Sequence, residues 1–334
     1  MSGYTTIVEL HLRAGKHSFS GMTIRVLMAA RSMRLPAMMW LTLLLPAVQG
    51  AEAQSIMVYD RAVAYDRAIV TIAQRQAADD RVAVPTARSI LLTRGAPTPR
   101  AIVLFHGLTD SPVQFAALAE RLHEDGNNVF VPRLPRHGLS VGGAGDLAAL
   151  SSSELRLFAD SIIDSAAGLG DSVIVVGLSL GGTIVAWVAQ ERKLWRAVLI
   201  APALEPGRVP TLLDRPIVGL FDHLPNVTRE SPQEIDRPDR EPGFSTHAVA
   251  EIFELGSVVL NGSARVAPGT KRAVVLVNAA DRTIKESAAE ALARRWQEHG
   301  AAVAVFELPD SLHLPHNIRL QNWLQKIILR SNPF

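Results

Sequence analysis

The sequence contains no cysteine. That excludes a disulfide framework and a lipid-modified cysteine anchor, so an exported form of this chain must be held together by its core alone. Also missing is an apolar run of the ~20 residues that a membrane-crossing helix needs. The nearest approach, LPAMMWLTLLLPAVQG, supplies about 15. There is no His-Glu-x-x-His and no clustered spacing of metal ligands. A phosphate-binding surface is unsupported as well. Before Ala53, Arg13, Lys16, Arg25, Arg31 and Arg34 stand against Glu9 and Glu52, so removing that segment takes the formal charge from +2 to −1. Nucleic acid is therefore not an expected partner.

What is present has the make-up of a folded α/β chain. Its 334 residues, 48% hydrophobic and 20% charged, can bury one large core or two smaller ones. Arg31 and Arg34 precede the short apolar run, and Ala51-Glu52-Ala53 offers a small-x-small cleavage site before Gln54. Residues 1–53 are thus expected to be a leader with a signal peptide, started at Met1 or at Met22, Met28 or Met33. The mature domain is expected over 54–334, exported to the periplasm or secreted, with no stable membrane span. An uncleaved signal anchor is the alternative.

Beyond the leader, periodicity predicts a helix over 55–79 with Val58, Ala62, Tyr65, Ile69 and Ile72 on one face. Strands are predicted at 100–105, 128–131, 173–176, 197–200, 273–277 and 302–306. Helices at 114–123, 153–167, 183–190, 286–299 and 317–329 alternate with them. That alternation implies a parallel sheet covered on both faces, with its site at the carboxyl ends of the strands. The segment 203–270 interrupts the pattern. It is rich in proline and charge, holds one amphipathic helix in STHAVAEIFELGSVVL, and reads as a cap shaping a substrate pocket. A surface excursion without a role in binding is the other reading.

The chemistry centres on SVIVVGLSLGGTIVAWVA. A buried strand, then Gly177-Leu178-Ser179-Leu180-Gly181, then a helix is the pattern of a nucleophile elbow, in which a strained turn lifts a serine hydroxyl above the sheet. Gly177 and Gly181 would serve the turn, and Gly182 would let the helix lie close to a strand. A serine alcohol also needs a base, an acid to orient that base, and donors for an oxyanion. The backbone N–H groups of Leu108, in IVLFHGLTDSP, and of Leu180 are the candidate donors. His106 in that loop reads as a brace rather than a base. Asp281, in VVLVNAADRTI, is the candidate acid, with Asp310 as a competitor better suited to turn-making. The base is His316, behind Pro315, or His313.

Taken in order, LFHGLTDSPVQF, VPRLPRHGLS, GLSLGG, VNAADRTI and LPHN resemble the α/β-hydrolases, in particular bacterial carboxylesterases and monoglyceride lipases, over most of 88–329. The resemblance implies the α/β-hydrolase fold: a mostly parallel central sheet, helices on both faces and a small inserted cap. It implies an eight-stranded core, although six parallel strands are legible here, with ARSILLT as a candidate edge strand. It further implies hydrolysis of a small-molecule carboxylic ester by Ser179, Asp281 and His316, without metal or organic cofactor. Thioester, lactone or carbon–carbon bond hydrolysis on the same fold is an alternative, as is a ligand-binding protein that has kept the scaffold. The sequence does not encode an oligomeric state.

Overall fold

Short Val, Ile and Leu runs, lacking polar alternation, suit strands buried on both faces. Such runs form β1 (Ile90–Leu92), β2 (Ala101–Phe105), β3 (Asn128–Val131), β4 (Val173–Leu178) and β5 (Arg196–Ile200). After a separate antiparallel pair, β6 (Thr228–Glu230) and β7 (Gly243–Ser245), come β8 (Arg272–Asn278) and β9 (Ala302–Leu308). The main sheet has the order β1-β3-β2-β4-β5-β8-β9. All six strands predicted as parallel are parallel, and ARSILLT supplies β1, which pairs antiparallel with β3. The computed structural model describes residues 38–141, 144–207, 225–230, 243–308 and 321–329. Among these the sheet has seven strands, one fewer than the resemblance implied.

Because strand side chains alternate, each strand feeds two cores. Ile102 and Leu104 of β2 join Ile174 and Val176 of β4 under helices α2 (Ala116–Glu124) and α8 (Gln321–Leu329). Ala101, Val103 and Phe105 face the other way, toward helices α4 (Ser152–Ala166), α5 (Leu180–Glu191), α6 (Thr246–Ser263) and α7 (Glu286–Glu298). The short α3 (Ala144–Leu147) precedes α4. Side-chain caps start two of these helices: Ser151 accepts from the Glu154 N–H at 3.1 Å, and Ser245 from the Ala248 N–H at 3.3 Å. Glu251 of α6 accepts from the Ser152 N–H at 2.5 Å, tying α6 to the start of α4.

The chain divides into two units, Met1–Val58 and Tyr59–Phe334. In the first, residues 38–58 are helical and open α1 (Met38–Val82). Residues 1–37 of the expected leader lie outside the described residues. Among the described residues no helix is long and apolar enough to cross a membrane. In the second unit α1 buries Tyr65, Ala68 and Ile72, while Ala62 is exposed. The predicted stripe thus meets the core through Tyr65, Ile69 and Ile72, with Ala68 joining it and Ala62 left outside. The helix stops before Pro85, whose ring holds Val84 extended at ψ 148.

Helix α6 contains the amphipathic stretch found in the interruption. Its Ala248, Ile252, Leu255 and Val259 pack into the same core as α5, so it serves as the crossover helix between β5 and β8. Residues 208–224 and 231–242 of the expected cap lie outside the described residues. At the opposite end of the sheet, Arg196 is buried and its Nη1 donates to the Ile327 and Ile328 carbonyls at 2.9 and 3.0 Å. Arg100 reaches the Leu329 carbonyl at 3.0 Å. Two cations thus satisfy the last turn of α8, where the helix dipole is negative. Burial, with Arg100 and Arg272 nearby, lowers the Arg196 pKa from its ordinary value.

Trp296 of α7 is fully buried and donates from Nε1 to Gln190 of α5 at 2.9 Å. Trp296→Ala is expected to destabilise the fold by about 3–5 kcal/mol. Trp296→Phe, which strands the Gln190 oxygen, should cost about 1–3 kcal/mol. Urea unfolding midpoints check both.

Candidate active site

Strand β4 ends at Leu178 and α5 begins at Leu180, leaving Ser179 alone between them at φ 56 and ψ −115. This is left-handed backbone that a residue with a Cβ avoids. Several bonds hold it there. The Ser179 N–H donates to the Ile200 carbonyl at 2.9 Å, and the Ser179 carbonyl accepts from Thr183 and Ala203 N–H groups at 2.9 and 3.3 Å. Ser179 itself is half-buried between fully buried neighbours.

Two glycines make this geometry possible. A Cβ on Gly177 would lie 2.1 Å from the Gly181 carbonyl oxygen, so the turn cannot close around any larger residue. A Cβ on Gly181 would lie 1.9 Å from the Phe105 oxygen. Sequence reasoning started the helix at Thr183 and gave Gly181 to the turn. The helix in fact starts at Leu180, and Gly181 is needed where its first turn crosses the end of β2. Gly182 meets the segment after β5, its Cβ position 3.0 Å from the Pro202 Cα.

The loop after β2 carries Leu108, which is partly buried. Its Gly107 N–H donates to Gln114 Oε1 at 3.0 Å, and Gln114 Nε2 donates to buried Asp110 at 2.7 Å. His106 is fully buried and braces the loop, as its position suggested. Its Nε2 accepts from the Leu134 N–H at 3.1 Å, and its Nδ1 meets the Gly107 carbonyl at 2.9 Å. His137 crosses it edge-on, with ring centroids 5.2 Å apart. Burial, followed by His137, pushes the His106 pKa well below the ordinary 6.5. Burial likewise lowers His137 to about 4, against the opposing pull of the Pro135 and Leu108 carbonyls.

The acid turn follows β8. The Asp281 N–H donates to the Asn278 carbonyl at 2.9 Å, and Asp281 Oδ1 accepts from the Thr283 N–H at 2.8 Å. The turn is fastened to the segment after β5. Gly207 donates to the Thr283 carbonyl at 3.1 Å, Lys285 to the Glu205 carbonyl at 2.9 Å, and the Lys285 ammonium pairs with the Glu205 carboxylate at 3.2 Å. Since β5 lies between β4 and β8, Ser179 and Asp281 share one sheet edge across a single strand. His313, His316 and Asp310 lie outside the described residues. Nearby, Glu286, Glu290 and Glu307 bring carboxylate oxygens within 4.8 Å of one another. Burial, then Glu307, Glu290 and Asp281, raise the Glu286 pKa.

With this geometry in hand, comparison gives the family. The profile of the alpha/beta hydrolase family matches residues 102–317, well over half of the chain. The chain belongs to that family. A search of curated proteins finds no match. Among solved structures, it is similar to one of the metagenome-derived lipolytic enzymes LipS and LipT, at 18% identity and TM-score 0.54, covering 73% of this chain and 96% of that one. It is also similar to the monoacylglycerol lipase of Paleococcus ferrophilus, at 18% identity and TM-score 0.55, covering 72% and 95%. A soluble variant of the monoglyceride lipase of Saccharomyces cerevisiae aligns at 12% identity and TM-score 0.51, covering 66% and 82%. At these identities the likeness is one of fold.

In VPRLPRHGLS the sequence alone assigns Arg133 and His137 no task. Both are part of the packing behind the Leu108 loop, and no local spacing announces it. The two histidines have a measurable consequence. Both rings stay neutral in the native protein but protonate near 6.5 once unfolded, so their stability contribution is intact above that pH and is lost as the pH falls. For His137 the loss from pH 7 to pH 5 is on the order of 2 kcal/mol, given a native value of about 4. Urea unfolding at the two pH values should show that dependence shrinking by about this much in His137→Gln.

Proposed function

We propose that the chain is a serine hydrolase that cleaves carboxylic esters of small molecules through an acyl-enzyme on Ser179. The observation that carries this reading is the Ser179 backbone, held at φ 56 between a buried strand and a helix. Strain of that kind at a half-buried serine presents the hydroxyl at the sheet edge. The family membership and the lipolytic names of the similar structures support ester chemistry.

In the reaction, Ser179 Oγ attacks the ester carbonyl while His316 accepts its proton. The new oxyanion is held by the N–H groups of Leu108 and Leu180. Leu180 is the first residue of α5, and an N–H there has no acceptor within the helix. The alcohol leaves with the proton from His316, and water then hydrolyses the acyl-enzyme by the same route. Asp281 orients the imidazole and offsets its charge. The cap segment leaves the sheet edge at Gly207, which is bonded to the acid turn, and this supports a role for it in shaping the acyl pocket. The proposal includes export directed by residues 1–53.

Ser179→Ala is expected to lower kcat/KM for p-nitrophenyl esters by about 10⁴-fold or more while leaving the circular dichroism spectrum unchanged. Labelling by a fluorophosphonate should disappear with it. His316→Ala should behave alike and His313→Ala should stay active. A well-folded Ser179→Ala protein that still turns over esters would remove the reading, and a panel of matched esters and thioesters identifies the preferred leaving group.

A further inference from the structure

The family match begins at residue 102, yet α1, which precedes it, is wired into the loop that carries Leu108. Asp79 of α1 is buried. Its Oδ2 accepts from the Ser89 N–H at 2.9 Å and the Ser89 hydroxyl at 2.6 Å, and its Oδ1 pairs with Arg133 Nε at 2.8 Å. Arg133, just past β3, also donates its N–H to Ser89 Oγ at 2.9 Å and its Nη1 to the His137 carbonyl at 2.8 Å. The Arg133 side chain thereby ties the stretch from Arg133 to His137 to Asp79 of α1.

The next residue passes this constraint on. Leu134 donates its N–H to His106 Nε2. An Nε2 that accepts must be unprotonated, so the ring carries its proton on Nδ1 and donates it to the Gly107 carbonyl. The Gly107–Leu108 peptide is planar, and in a trans peptide the carbonyl and the following N–H point in opposite directions. With the Gly107 oxygen drawn toward the buried ring, the Leu108 N–H points away from it. The Asp110 N–H, 3.2 Å from the same oxygen, reinforces that choice. The elbow stands directly against this loop, since a Gly181 Cβ would meet the Phe105 and His106 carbonyls at 1.9 and 2.8 Å.

We propose that α1 is a working part of the catalytic unit: Asp79, through Arg133 and the loop after β3, sets His106, a positioning residue that aims the Leu108 N–H at the acyl oxygen bound over Ser179. The inference rests on the reading of Leu108 as an oxyanion donor. It assigns His106 no proton transfer to substrate. A misdirected oxyanion donor weakens the transition state and leaves ground-state binding alone, so the effect falls on kcat.

The test uses the full chain, p-nitrophenyl butyrate and a fluorophosphonate probe. His106→Leu should lower kcat by about 100-fold with KM within about threefold of wild type. His106→Asn, whose amide N–H can take the place of Nδ1–H, should recover most of that loss. Asp79→Asn should lower kcat by about tenfold, again without raising KM. A long-range ¹H–¹⁵N NMR correlation on the wild-type protein should find His106 protonated at Nδ1 at neutral pH, a readout independent of whether any variant folds. An Nε2-protonated ring, an unchanged kcat in folded His106→Leu and Asp79→Asn, or a loss confined to KM would each overturn the inference alone. A wild-type protein inert to both ester and probe would overturn the proposed function, and this inference with it.

Discussion

Everything at the candidate site depends on the backbone of one residue. At φ 56 and ψ −115, Ser179 occupies a conformation that costs on the order of 1–3 kcal/mol for a residue with a side chain. The surroundings over-determine it. Its N–H and carbonyl are both bonded, β4 and α5 are buried on either side, and the glycines at 177 and 181 let helix, turn and neighbouring strand approach to distances no Cβ could survive. Strain of this kind is sustained by rigid packing, which fixes the backbone from which the hydroxyl projects.

The sheet turns that local strain into a site. From β2 the strand order runs outward both ways, to β3 on one side and to β4, β5, β8 and β9 on the other. The reversal falls between β2 and β4, where an open parallel sheet forms its crevice, and the loops leaving β5 and β8 follow along the same carboxyl edge. Leu108, Ser179, Glu205 and Asp281 all lie in or beside the loops leaving these four strands. The fastening of the acid turn to the segment after β5, through Glu205, Gly207, Thr283 and Lys285, gives the carboxylate a fixed footing two strands away from the serine's own.

Much of the fold was legible because its signals are local. Val-Ile-Val-Val before glycine has few alternatives to a buried strand, and six such runs separated by helical periodicity leave little choice but a parallel sheet. Even the edge strand in ARSILLT was visible. The first turn of α5 was misplaced because glycines at 181 and 182 disfavour helix in isolation. There the close passage across β2 overrides propensity. The face of α1 was legible at Tyr65, Ile69 and Ile72, because periodicity identifies an apolar stripe, while the surface beneath decided that Ala68 and not Ala62 joins it. Helix α6 was recognised as amphipathic, yet its place as the crossover helix between β5 and β8 depends on which core its apolar face finds.

The candidate residues showed the same division. Ser179, Leu108, Leu180 and Asp281 were named from spacing and chain order, since the turn that presents a nucleophile is written in adjacent glycines. The bracing behind them was not readable in that way. Asp79, Ser89, Arg133, His137, His106 and Gln114 come from separate segments, and nothing in their spacing pairs them. By itself the sequence determined the parallel sheet, the strained serine turn and the family, because each follows from neighbours along the chain. Only the tertiary structure decided that an N-terminal helix, by the pairing of buried Asp79 with partly buried Arg133, stands behind the loop of Leu108, because folding brings together charges that sequence distance keeps apart.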